Sequence, residues 1–177
     1  MKPKVSKKIL QLIKKYSKGI KLDVGCGENK QGGFVGLDYR KLKGVDIVHN
    51  AEKFPYPLPS DSCSVILCSH LIEHIKPWLM IDLFNEFWRI MQVGGQLWLS
   101  LPYGYSQGFL QDPTHCNACN ENTWTYYDPE YPLYSIYRPL PWKIERNTFF
   151  AQGNMEVILS KRPANYQGQY TTRGING

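Results

Sequence analysis

Two short stretches carry the residue types for nucleotide chemistry: Leu22-Asp23-Val24-Gly25-Cys26-Gly27, and Gly36-Leu37-Asp38. Gly25 and Gly27 let backbone approach a ligand where a side chain would collide. Asp38, ending its own strand, is placed to accept hydrogen bonds from both hydroxyls of a ribose. A glycine turn with an acid one strand later points to an adenosine-type ligand. A dinucleotide fits poorly. Its fingerprint needs a third glycine where Lys30 stands, and an acid about 20 residues on, whereas Asp38 follows Gly25 by only 13. The stretch 25–33 also leaves room for only a turn or two of helix, too little to cradle a pyrophosphate.

Histidines and cysteines form further candidates. His70-Leu71-Ile72-Glu73-His74 has the His-x-x-Glu-His spacing of some zinc peptidases. That chemistry needs a long helix, and Pro77 follows three residues after His74. His115-Cys116-Asn117-Ala118-Cys119 contains one Cys-x-x-Cys pair, at most three ligands of a zinc site with His115 and lacking a second pair at finger spacing. The expectation is no metal site. His115, in Asp112-Pro113-Thr114-His115, has a side chain suited to taking a proton from a hydroxyl or amine. A loop-anchoring role suits it equally.

These residues need a scaffold. Strands are predicted at Ile20–Val24, Phe34–Tyr39, Val45–His49, Ser64–Ser69 and Gln96–Leu101. Near-continuous apolar strands separated by helical or loop connections imply a mostly parallel sheet covered on both faces. Pro77 starts a helix whose apolar positions Leu79, Leu83, Phe84, Phe87 and Ile90 run to about Met91, with Gly94-Gly95 as its terminator. Trp142–Arg146 and Met155–Ser160 read as a final antiparallel pair. The stretch 103–141 is rich in proline and tyrosine, lacks periodicity and is too long for a passive connector. It reads as a substrate lid, in which Tyr103, Tyr105, Trp124, Tyr126 and Tyr127 form either an aromatic wall or packing. Residues 162–177 read as a flexible tail.

The 177 residues carry a formal charge of +6, unevenly spread. Residues 1–21 hold eight lysines and no acid, while 22–177 hold 13 basic against 15 acidic residues. The basic segment 1–18 reads as an amphipathic helix, with Ile9, Leu12, Ile13 and Tyr16 on one side. It is also a candidate contact for nucleic acid. No apolar run is long enough for a membrane span, and no signal peptide is evident. Five cysteines without a disulfide pattern suggest a reducing, cytoplasmic setting.

Five pieces in order resemble the class I S-adenosylmethionine (SAM)-dependent methyltransferases, especially a short, type 11-like subgroup with a truncated first helix. They are Leu-Asp-Val-Gly-Cys-Gly (22–27), Gly-Leu-Asp-Tyr (36–39), Val-His-Asn-Ala-Glu-Lys-Phe-Pro (48–55), Ser-His-Leu-Ile-Glu-His-Ile (69–75) and Arg-Ile-Met-Gln-Val-Gly-Gly-Gln-Leu (89–97). The resemblance implies a Rossmann-like α/β fold. Its mostly parallel sheet would have seven strands, or fewer, with helices on both faces. Asp23 would lie near the methionine ammonium, directly or through water. Gly25, Cys26 and Gly27 would line the methionine and ribose path. Asp38 would hold the ribose, and Tyr39 would stack near the adenine. Asn50 stands where relatives place an acid, flanked by Ala51 and Glu52. Ser69 and His70 would close the methionine side. Glu73-His74 would be architectural, capping the strand-to-helix turn. Asp-Pro-Thr-His also occurs in relatives, in the insertion overhanging the methyl group. His115 and His70 are therefore the candidate catalytic residues.

The resulting expectation is methyl transfer from SAM to an oxygen or nitrogen of a small-molecule or carbohydrate-like acceptor, releasing S-adenosylhomocysteine (SAH). A nucleic-acid acceptor recruited by the basic N-terminus and a non-catalytic SAM-binding subunit are alternatives. The absence of an Asn/Asp-Pro-Pro-Tyr motif counts against the former.

Overall fold

The computed structural model describes residues 5–171. Helix α1 (Lys7–Lys15) leads into strands β1 (Ile20–Val24), β2 (Val35–Asp38), β3 (Ile47–Val48) and β4 (Cys63–Ser69). Helix α2 (Met80–Ile90) joins β4 to β5 (Met91–Pro102). Short helices α3 (Gln107–Leu110) and α4 (Tyr134–Tyr137) precede β6 (Trp142–Phe149) and β7 (Asn154–Lys161). The seven strands form one sheet in the order β3-β2-β1-β4-β5-β7-β6. β1 to β5 are mutually parallel, whereas β7 runs antiparallel to both β5 and β6. This is the Rossmann-like sheet that the resemblance implies, with the C-terminal antiparallel pair expected from the strand pattern.

The order reverses direction at β1. β2 lies on one side of it and β4 on the other, with Val24 level with both Leu37 and Cys68. The residues just beyond, Gly25, Asp38 and Ser69, therefore emerge together at the carboxyl edge, where open α/β sheets bind ligands. Right-handed crossovers send the β1–β2 and β4–β5 connections to opposite faces. α2 fills the latter, burying Met80, Leu83, Phe84, Phe87 and Ile90. The β1–β2 connection is shorter still than the sequence suggests: it holds turns and no helix. Asp46 stabilises it, accepting from Gly36 N and Lys30 Nζ at 2.9 and 2.8 Å.

α1 is capped by Ser6, whose hydroxyl accepts from Ile9 N. Ile9 is buried, and Leu12, Ile13 and Tyr16 pack against the core. Its lysines point elsewhere, as expected of a solvated amphipathic helix.

The structure departs from the expected elements in several places. β3 is two residues long, not five, because only Leu37 and Asp38 of β2 pair with it. Gly94-Gly95 does not terminate the helix. α2 ends at Ile90, and both glycines lie inside β5. There the pairing with β4 jumps from Cys63↔Met91 to Val65↔Gln96, a bulge that Gly94 accommodates at φ +77°. The segment after Lys161 is not loose through Tyr170. The Arg162 guanidinium donates to Asp128, Tyr166 OH to Glu130, and Tyr170 N to Pro129 O. Residues 172–177 lie outside the described residues, as do 1–4.

The 103–141 insertion divides in two. Its second half is core: the Phe84 ring of α2 stacks on Tyr127 at 4.3 Å and meets Trp124 and Trp142 at 6.1 and 6.5 Å. Trp124 and Tyr127 are thus packing residues and not a ligand wall, because both are buried against α2. Tyr103 instead contacts Phe149, at 4.5 Å, with Tyr105 beside it. The first half, from Gly104 to Cys119, borders the site described next.

Candidate functional site

A cavity of about 480 Å³ opens at the carboxyl ends of β1, β2 and β4. Gly25, Asp38, Tyr39, Asn50, Ala51, Glu52 and His70, all predicted site residues, line it. So do Arg40, His49, Leu71, His74 and Ile75. The turn after β1 is shaped by glycine's freedom. Gly25 sits at φ +75°, and a Cβ there would press on Leu71 at 3.1–3.3 Å.

Asp38 is the electrostatic centre of the wall. Its Oδ2 accepts from Gly27 N at 2.9 Å, and its Oδ1 accepts from Arg40 N at 2.9 Å and Nε at 3.2 Å. Burial alone would raise its pKa, but the bonds from Arg40 and Gly27 outweigh it and hold the carboxyl below its ordinary value. Asp38 is ionised at neutral pH. The Arg40 side chain is half exposed, so its contact with Oδ1 can give way to a ligand. Tyr39 presents an exposed ring at the rim, and Asn50 Oδ1 caps Glu52 N at 2.8 Å. An acid for a diol, an aromatic face and a carboxamide on a wall without phosphate-binding helix suit an adenosine-type group bearing no phosphate.

The other predicted cofactor residues stand behind this wall. Asp23 is buried beneath the turn, where its Oδ2 accepts from Gln31 N at 2.8 Å. Burial raises its pKa, opposed by that bond and by Lys30. Asp23 is not among the residues that line the cavity. Cys26 packs against Gly36, where a Cβ would meet its Sγ at 2.8 Å, and burial pushes the thiol up to about 11. Gly27 acts through its N–H on Asp38, and Ser69 pairs with Ser100 in the sheet.

His70 leaves β4 in the left-handed region, at φ +50°, unusual for a residue with a side chain. Its N–H donates to Ser100 O at 2.8 Å, and its Nδ1 lies 3.3 Å from Glu73 Oε1. The adjacent Glu73 carboxylate holds the His70 imidazolium pKa above its ordinary value.

A second cavity, of about 430 Å³, adjoins the first. His70 and His74 line both. Its remaining wall includes Glu73, Asp112, His115, Gln152 and Asn154. His115 is thus absent from the first cavity and stands on the second. Glu73 lies within the 3₁₀ turn Ile72–His74, and its side chain caps neither that turn nor Pro77–Leu79, so the capping role implied by resemblance does not hold for its carboxylate. Nor does the peptidase helix exist: Ile72–His74 is a single 3₁₀ turn. Cys116 Sγ and Cys119 Sγ point to separate backbone carbonyls, those of Ile75 and Asn117.

No family model matches the sequence, and no curated protein matches it. Solved structures do. A SAM-dependent methyltransferase from Archaeoglobus fulgidus is 18% identical, covering 86% of this chain and 91% of its own, with a TM-score of 0.56. One from Mesorhizobium loti is 13% identical over 87% and 98%, TM-score 0.55. One from Aquifex aeolicus is 14% identical over 85% and 87%, TM-score 0.55. The chain has the class I SAM-dependent methyltransferase fold.

Among the described residues, no helix is long and apolar enough to cross a membrane.

Proposed function

We propose that this protein binds SAM in the first cavity and transfers its methyl group to an oxygen or nitrogen of a small, polar, carbohydrate-like acceptor in the second. The observation that carries this reading is the shared wall: His70 and His74 border both cavities, so two ligands seated in them would meet there. SAM, when bound, supplies a methyl group on a sulfonium, an already activated leaving group. The chain's task is then to align an acceptor and exclude water.

Asp38 would accept from the ribose hydroxyls, with Gly27 N–H holding its carboxylate in place. Tyr39 and Asn50 would meet the base, flanked by Ala51 and Glu52. Gly25 would let the backbone approach, and His70 would close the side facing the acceptor. The second cavity is lined by side chains able to donate and accept hydrogen bonds, among them Gln152, Asn154 and Asp112, which favours a hydroxyl-rich acceptor. Of the titratable groups on its wall, which also include Glu73, His74 and Asp112, His70 and His115 would be the candidates to handle the acceptor's proton.

Calorimetric titration with SAM and SAH tests the cofactor half. Saturable 1:1 binding is expected, and its absence overturns the reading. Labelled-methyl transfer from SAM to a panel of sugars, phenols and amines tests the other half. Binding without transfer to any of them would favour the non-catalytic alternative.

A further inference from the structure

The wall between the two cavities holds an arrangement that methyl transfer alone does not require. Glu73 is 1% exposed, yet neither carboxylate oxygen has a hydrogen-bond partner. Among the described residues its one charged neighbour is His70, whose Nδ1 lies 3.3 Å from Oε1, and Oε2 has no partner. A buried carboxylate with one oxygen left bare is costly to retain, and a further positive group beside it would lower that cost. Two more imidazoles stand beside it. One ligand atom each of Glu73, His74 and His115 lies within 4.8 Å of the others.

Proton accounting shows what those imidazoles present. His115 Nδ1 lies 2.9 Å from Phe109 O. A carbonyl only accepts, so Nδ1 carries the hydrogen, and neutral His115 has a bare lone pair on Nε2. Thr114 Oγ1 donates its single hydrogen to Asp112 Oδ1 at 2.7 Å. It must therefore accept from His74 Nδ1, 3.0 Å away, which leaves a bare Nε2 on His74 as well. Histidines that bind metals are oriented in this way, with the second ring nitrogen donating to a carbonyl or a side-chain oxygen. The backbone secures the set: Glu73 O accepts from both Cys116 N and Asn117 N, delivering His115 to Glu73 across more than 40 residues of chain.

We propose that Glu73, His74 and His115 bind a divalent first-row transition ion at the junction of the two cavities. Two imidazoles and one carboxylate are a mixed nitrogen and oxygen set of borderline hardness, suited to Zn²⁺, Mn²⁺ or Fe²⁺. Three protein ligands leave coordination positions free. Asp112 Oδ2, 3.8 Å from His115 Nε2, and His70 flank the set.

Resting on the methyl-transfer reading, the ion's use follows from its place. It would hold the acceptor through a hydroxyl oxygen and lower that hydroxyl's proton affinity. The hydroxyl proton leaves to solvent. The oxygen lone pair then forms the bond to the methyl carbon as the carbon–sulfur bond breaks, and that bond's electron pair stays on sulfur, giving neutral SAH. His115 thereby serves as a ligand and the ion replaces it as the means of deprotonation.

The test uses the full chain, stripped with chelator and titrated with Zn²⁺, Mn²⁺ and Co²⁺, the last also read by its visible absorption. One ion per chain is expected, with affinity falling at least tenfold in Glu73→Gln and in His115→Gln. His74→Gln should match them, and Cys116→Ser/Cys119→Ser should bind as the parent does. SAH affinity, measured on the same samples, should stay within about threefold in Glu73→Gln and His115→Gln, whose side chains line only the second cavity, which also certifies that these two are folded; thermal melting certifies His74→Gln. No stoichiometric binding of any of the three ions overturns the proposal. So does binding that survives all three ligand substitutions, or that is lost with the cysteines. Failure of SAM to bind the parent chain would remove the methyl-transfer role while leaving the ion titration to stand or fall by itself.

Discussion

Gly27 N–H donates to Asp38 Oδ2 at 2.9 Å, tying the turn after β1 to the acid that ends β2. The bond joins the two stretches of sequence with the most chemical content. It also fixes the carboxylate from the protein side, so that its remaining acceptor capacity faces the cavity. Asp38→Asn keeps the size but removes the charge and turns half of the acceptor into a donor. A hydrogen bond to a charged group is worth roughly 1.5–3 kcal/mol. The expected result is SAH binding weakened about 10- to 100-fold by calorimetry, with a lower melting temperature at neutral pH because the charge-assisted bonds from Arg40 and Gly27 are weakened. Unaltered affinity would take the ribose away from Asp38.

Acid should destabilise this protein through two hydrogen-bonded carboxyls, buried Asp38 and part-exposed Asp46. Burial raises the pKa of Asp46, but the Lys30 ammonium and Gly36 N–H lower it more, and Asp38 is depressed by Arg40 and Gly27. Both therefore titrate below 3.8 when folded and near 3.8 when unfolded. Their stabilising contribution is complete above the unfolded value and is lost as pH falls through the folded ones. Melting temperature should hold from pH 7 to about 5 and drop steeply below about pH 4. Asp46→Asn should melt lower at neutral pH and show a shallower acid limb.

Gly25→Ala addresses the turn itself. At φ +75° a side chain is strained whatever the space, and the new methyl would also press on Leu71, a cavity residue. The backbone term alone costs about 1–2 kcal/mol. A melting temperature several degrees lower is expected, together with weaker SAH binding. Gly33→Ala is the control, because it shares the positive φ, at +80°, but has open space around its Cβ. It should lose stability without losing affinity.

Features whose residues lie close together in sequence were the legible ones. The glycine turn, Asp38 and the 48–55 loop are each contiguous, and their residue types carry the chemistry directly. The β1–β2 shortcut was legible by counting residues. Gly94-Gly95 was not, since a glycine pair after a helix and a glycine pair in a strand bulge look alike until β4 supplies the register. The second cavity was less visible still. Its wall gathers residues near 70–74, 108–115 and 152–154, which only the sheet topology unites. Burial of Glu73 could not be read from a stretch that mixes charged and apolar residues, nor could the role of Trp124 and Tyr127, because packing and ligand walls use the same aromatic residues.

Phe84 tests whether the second half of the insertion is structural. The ring is fully buried, stacked on Tyr127 at 4.3 Å, with Trp124, Trp142 and Phe87 around it. Phe84→Ala removes a ring that these aromatics cannot collapse to replace, at a cost of about 3–5 kcal/mol. Against a typical total of about 5–15 kcal/mol, this approaches the limit of folding. The urea midpoint should fall sharply with an unchanged slope. Phe84→Leu should cost much less, since it keeps most of the apolar volume. The Gly104–Cys119 half is anchored separately, through Gly104 N on Cys119 O and the two N–H groups on Glu73 O. Folded Phe84→Leu should therefore bind SAH and metal as the parent does. Loss of either at unchanged stability would mean that the aromatic cluster, and not Glu73, positions the ligand-facing half.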